Sequence, residues 1–115
     1  MNLGDLTLDT IHAGLRGLNA RRNAAEDAVA NVETPGYIAR NVAFEGELSR
    51  AIEGGDPLRV APTSNFTTDE ALPNGNNVRI ERELAGLTDT ALRQQLLIEA
   101  ANAKFRLLRT VIVGQ

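Results

Sequence analysis

No cysteine occurs in the chain, so neither a disulfide framework nor a thiolate metal site is available. Tryptophan is also absent, and aromatic residues are limited to three Phe and one Tyr. The apolar mass therefore consists mostly of Ala, Leu, Val and Ile, which suits helix-against-helix packing better than a thick layered core. His12 is the sole histidine. It has no second His, Cys or carboxylate pair at catalytic or ligand spacing around it, and reads as a solvated or helix-flanking side chain. The only serines are Ser49 and Ser64, and neither sits in a nucleophile elbow. These gaps argue against an enzyme, and no cofactor or metal is expected. Asn74-Gly75-Asn76 lacks the acidic ligands and the closing Glu of a calcium loop.

Charge is balanced, with 12 basic and 15 acidic residues giving a net −3. No block of like charge suggests nucleic-acid binding or an anionic-membrane anchor. No apolar run approaches the roughly 20 residues a membrane span needs. The start, Met1-Asn2-Leu3-Gly4-Asp5, has an acid where a secretory signal would be basic. The expectation is a soluble chain without membrane insertion, any export of which bypasses a cleaved signal peptide. At 115 residues one structural unit with a modest core is expected.

What is present is apolar periodicity at both ends. From about residue 7 to 31, Leu8, Ile11, Leu15, Leu18, Arg22, Ala25, Val29 and Val32 follow steps of three and four. That is an a/d heptad broken only at Arg22, with Asp5 or Thr7 available to cap the helix. From about residue 77 to 113, Ile80, Leu84, Leu87, Ala91, Gln94, Ile98, Ala101, Phe105, Leu108 and Ile112 repeat the pattern. A second stripe, Leu92, Leu96, Ala100, Ala103, Leu107 and Val111, makes the apolar surface wider than one partner helix covers.

Between these ends the signals are weaker. Thr34-Pro35-Gly36-Tyr37 stops the first helix, because proline removes a donor and restricts Thr34, and Pro-Gly fits the centre of a type II turn. Residues 38–44 read as extended, with Val42 and Phe44 on one face. Residues 45–52 read as a short helix from the spacing of Phe44, Leu48 and Ile52. Leu58-Arg59-Val60 reads as a short strand, and 61–77 as loop, with Asn74-Gly75-Asn76-Asn77 a turn signal. The expected fold is mainly α: two long heptad-patterned, coiled-coil-like terminal helices joined by a Pro-Gly turn, a short extended and helical segment, and a flexible central loop. The divisions are 1–36, 37–76 (mobile) and 77–115. Residues alone leave a monomeric helical hairpin and a self-associating protein both open.

The stretch Val29-Ala30-Asn31-Val32-Glu33-Thr34-Pro35-Gly36-Tyr37 resembles the signature of the flagellar rod, hook and axial protein family. Ile38 to Phe44, Asn74 to Val78 and Lys104 to Ile112 are similar to further elements of its short proximal-rod members, in the same order. Ala28, Glu33 and Arg79 depart from the family's usual residues without disturbing the heptads. The ending argues against the FlgC type, which stays an alternative beside a small helical adaptor or export chaperone.

The resemblance implies a structural subunit of the proximal rod that polymerises through its terminal helices, transmits torque and forms the export channel wall. It implies type III export into the periplasmic rod, self-association, and FliE, other rod proteins, the MS ring and the export gate as partners. The subunit interface is expected at Leu8, Ile11, Leu15, Leu18, Ala25, Val29, Leu84, Leu87, Ala91, Ile98, Phe105, Leu108 and Ile112. Asn31, Thr34, Pro35, Gly36 and Tyr37 form the turn that sets the angle of the first helix.

Overall fold

The computed structural model describes residues 3–113, and side chains from residue 6. Two long helices, α1 (Leu3–Ala30) and α3 (Ile80–Val113), lie against each other. Gly14 faces Leu97 and Asn31 meets Asn76, so the two run antiparallel. Between them come strand β1 (Arg40–Ala43), helix α2 (Glu45–Glu53), a 3-10 turn (Pro57–Arg59) and strand β2 (Thr63–Phe66). The molecule measures 65 × 27 × 13 Å. Its radius of gyration is 17.8 Å, against about 13 Å for a compact domain of this length.

The core is small. Leu18, Val42, Phe44, Ala51 and Val60 are buried, with Ala20, Ala24, Leu48 and Leu97 packed on them. Phe44 lies so close to α1 that a Cβ built on Gly17 would come within 2.4 Å of its ring. Glycine there lets the ring reach the helix backbone. Gly14 does the same more gently for Leu97, with its would-be Cβ 3.0 Å from Cδ1. α1 is thus covered by α3 on one side and by β1, α2 and the 3-10 turn on the other.

The middle differs from the sequence reading in three places. Leu58-Arg59-Val60 is not a strand: Pro57 opens a 3-10 turn, its fixed φ suiting a first helical position. The Arg16 guanidinium then takes the Leu58 and Val60 carbonyl oxygens, at 3.3 and 3.1 Å, that a strand partner would have used. The strand lies instead at Thr63–Phe66, inside the stretch expected to be loop, paired antiparallel with β1 in the register Val42↔Ser64. Every β2 residue is exposed, so no apolar alternation marked it. Thirdly, at the N-terminal end, α1 runs from Leu3, ahead of Asp5 and Thr7, so neither occupies the cap position. The side chain of Asp5 lies outside the described residues.

Candidate assembly surface

α1 buries its apolar residues within the chain. Ile11, Leu18 and Ala25 are buried and Leu8, Leu15 and Val29 half-buried. α3 does not. Its covered positions recur as Ile80, Glu83, Leu87, Thr90, Gln94, Leu97, Ala101, Lys104 and Leu108, and only Thr90 is fully buried. Leu87 and Leu108 of the expected interface fall on this seam. Leu84, Ala91, Ile98, Phe105 and Ile112 stand beside it in solvent, as does the whole second stripe from Leu92 to Val111. Phe105 is 57% and Ile112 81% exposed. A continuous apolar surface on two faces of one helix exceeds the scattered exposure normal for a monomer, and marks an interaction site.

At the far end of the hairpin two turns are stacked on each other. Gly36 (φ +76) and Gly75 (φ +86) both take the left-handed conformation that favours glycine. Gly36 donates its N–H to the Asn74 carbonyl at 2.9 Å, and Tyr37 donates to Thr34 O at 3.3 Å. A Cβ on Gly75 would meet the Gly36 Cα at 3.2 Å. Asn31 Nδ2 donates to Asp27 O at 2.7 Å, and the Thr34 hydroxyl donates to Asn31 Oδ1 at 3.0 Å. Of the motif residues, Thr34, Pro35 and Gly36 are exposed while Asn31 and Tyr37 are half-buried. Burial raises the Tyr37 phenol above its ordinary value.

Asn76 joins the halves. Fully buried at 0% exposure, it donates Nδ2 to Asn31 O at 2.9 Å and Thr34 O at 2.8 Å. Its Oδ1 accepts the Val78 N–H at 2.8 Å. One amide therefore gives a second donor to two turn carbonyls that already accept from Thr34 N and Tyr37 N, and takes a donor just before α3. Asn77 works beside it: Oδ1 accepts from Ala39 N at 2.7 Å, and Nδ2 donates to Thr67 Oγ1 at 2.8 Å and more weakly to Asp69 O. Sequence reasoning took these asparagines for a turn alone. Consecutive amides flanked by glycine were the available signal, but the acceptors of Asn76 Nδ2 lie 45 and 42 residues away and the Ala39 donor to Asn77 lies 38 away.

A second anchor holds the middle to α1. Arg21 forms a two-pronged pair with Glu45 at 2.7 Å on each prong, and donates Nη2 to Val42 O at 2.8 Å. Its guanidinium sits 4.9 Å from the Phe44 ring centroid. The Arg21 hydrogen bonds lower the Glu45 carboxyl from 4.5 to about 2, against the opposing effect of burial.

No protein-family model matches the chain. Individual relatives do. A protein of Bacillus subtilis named "Flagellar basal body rod protein FlgB" is 27% identical over 99% of this chain and 98% of its own length. Proteins of the same name from Borrelia hermsii and Escherichia coli are 29% and 25% identical, over 97% and 91% of this chain and 99% and 96% of theirs. The chain is thus similar, over almost its full length, to rod proteins named FlgB from diverse bacteria.

Proposed function

We propose that this chain is a structural subunit of the bacterial flagellar basal-body rod, in its proximal part, assembling through the exposed face of α3. The observation that carries the reading is the pairing of FlgB homology over nearly the whole chain with a last helix whose apolar stripes its own fold leaves uncovered. Leu84, Ala91, Ile98, Phe105, Ile112 and the stripe from Leu92 to Val111 meet neighbouring subunits; Leu8, Ile11, Leu15, Leu18, Ala25, Val29, Leu87 and Leu108 support that surface from beneath and complete it where half-exposed. Burying such stripes gives association its main driving force. Close-packed helices resist compression, which suits them to transmit torque and to wall an export channel.

In this reading the neighbours are other copies, other rod proteins and FliE, with the MS ring and export gate at the base. The chain reaches the periplasmic rod by flagellar export without signal cleavage. The clasp of Asn31, Thr34, Gly36 and Asn76 sets the direction of α3 relative to α1. Deleting the gene and restoring it in trans tests the role: flagella are lost on deletion and regained on restoration. Flagella that persist in the deletion strain overturn it.

A further inference from the structure

Charge is unevenly spread over the uncovered helix. Residues 100–113 of α3 hold Lys104, Arg106 and Arg109 and no acidic residue. None of the three pairs with an acid among the described residues. The same turns expose Phe105, Leu107, Val111 and Ile112. At α2 the balance reverses: Glu45, Glu47, Glu53 and Asp56 stand against Arg50 alone. Arg21 engages Glu45, whereas Glu47 and Glu53 are exposed and make no ion pair among the described residues. A groove of about 300 Å³ opens between α1, α2 and α3, with an apolar floor of Ile11, Leu18, Phe44, Leu48 and Leu97 and with Glu45 and Arg93 as its charged lining.

We infer that the basic, apolar end of α3 in one copy docks on the acidic flank and groove at α2 of a second copy. The inference rests on the proposed rod role and adds which surfaces meet. A chain cannot satisfy itself this way, because its own Phe105 lines a groove with Leu8 at the start of α1, away from α2. Each copy offers its two patches to two different neighbours, so the contact is heterologous and repeats from copy to copy. The apolar side chains supply the attraction, and the pairing of Arg106 and Arg109 with Glu47 and Glu53 supplies register and partner choice.

A charge swap tests it on the full chain by sedimentation and chemical crosslinking. Arg106→Glu and Arg109→Glu together, or Glu47→Lys with Glu53→Lys, each place like charge on both surfaces. Each set weakens self-association at least tenfold with helicity unchanged by circular dichroism. Combining all four substitutions restores it. The native chain gives a crosslinked ladder beyond dimer, reduced between about 0.05 M and 0.5 M salt. Native-like association of either reversed variant, no restoration on combination in a normally helical chain, a dimer-only product, or a native chain that stays monomeric overturns the docking. Flagellar complementation separates the two readings. A chain that restores flagella while both reversed variants associate normally loses the docking and keeps the rod role. The swap pattern in a chain that fails to complement keeps the docking and loses the rod role.

Discussion

α1 and α3 are both long and rich in Leu and Ala, yet they meet opposite fates. α1 is enclosed, with α3 along one side and β1, α2 and the 3-10 turn along the other. It carries glycine at positions 14 and 17, where Leu97 and Phe44 approach closest. α3 meets the rest of the chain along a single seam, and its large residues point outward. The contrast is one of cover: one helix serves the fold of a single molecule, and the other keeps an uncovered face that the proposed role gives to neighbours. Substitutions in α1 and its contacts should therefore act on the stability of the isolated chain, and those on the outer face of α3 on assembly.

The largest effect is expected at Gly17. Any side chain there collides with the Phe44 ring, with a Cβ already at 2.4 to 2.5 Å from three ring atoms. Helix propensity alone would favour Ala over Gly by about 1 kcal/mol, but overpacking dominates. Gly17→Val should destabilise the chain by about 3 kcal/mol, measured by urea denaturation. A change smaller than about 0.5 kcal/mol would show that α1 is not tightly enclosed.

Next comes the clasp. Asn76→Ala removes two donated bonds and one accepted bond at a fully buried site. The Val78 N–H then loses its acceptor, and the Asn31 and Thr34 carbonyls keep only the bonds from Thr34 N and Tyr37 N. A loss of about 2–3 kcal/mol follows from the cost of unsatisfied buried groups. Asn76→Asp should be no better, since a carboxylate offers the two carbonyls no donor and faces them with charge. If Asn76→Asp matched the native chain in thermal melting, the hydrogen-bond account of the junction would fail.

The sequence shows the parts of this fold that depend on local pattern. Steps of three and four mark both long helices, and the spacing of Phe44, Leu48 and Ile52 marks α2. What it hides is long-range. β2 has no apolar face because both of its sides meet solvent. Asn76 looks like a turn residue because its acceptors lie 42 and 45 positions earlier. The seam of α3 was only half legible. It runs through Glu83, Thr90 and Lys104, polar positions that apolar counting discards, and the heptad members Leu84, Ala91, Ile98 and Phe105 flank it. The resemblance carried the family and the motifs in order, but not the packing of one motif on the other.

A smaller effect is expected where the middle is tied to α1 by charge. Glu45 titrates near 2 in the fold, below its ordinary 4.5. A lowered carboxylate pKa favours the folded state fully above about pH 5, and that contribution fades as pH falls toward 2. The Glu45 side chain is half-exposed, so solvent screening limits the pair to about 0.5–1 kcal/mol at neutral pH. Glu45→Gln should lower stability by that amount at pH 7 and by almost nothing at pH 2. An equal loss at both pH values would assign its role to packing alone.

The smallest effect on the isolated chain is expected on the outer face of α3, where the comparison can be broken most directly. Phe105 is 57% exposed and flanks the seam. Phe105→Ser removes an aromatic ring that the monomer covers only in part, so unfolding free energy should move by no more than about 0.5 kcal/mol. In the assembled rod the same ring lies between subunits in the proposed reading. Truncating an aromatic anchor at the centre of an interface costs about 2 kcal/mol or more, roughly thirtyfold in association. The variant should therefore melt like the native chain and fail to support flagella. A Phe105→Ser chain that unfolded far more easily would place the ring inside the monomer's own core. One that both melted normally and built flagella would remove this face of α3 from the interface.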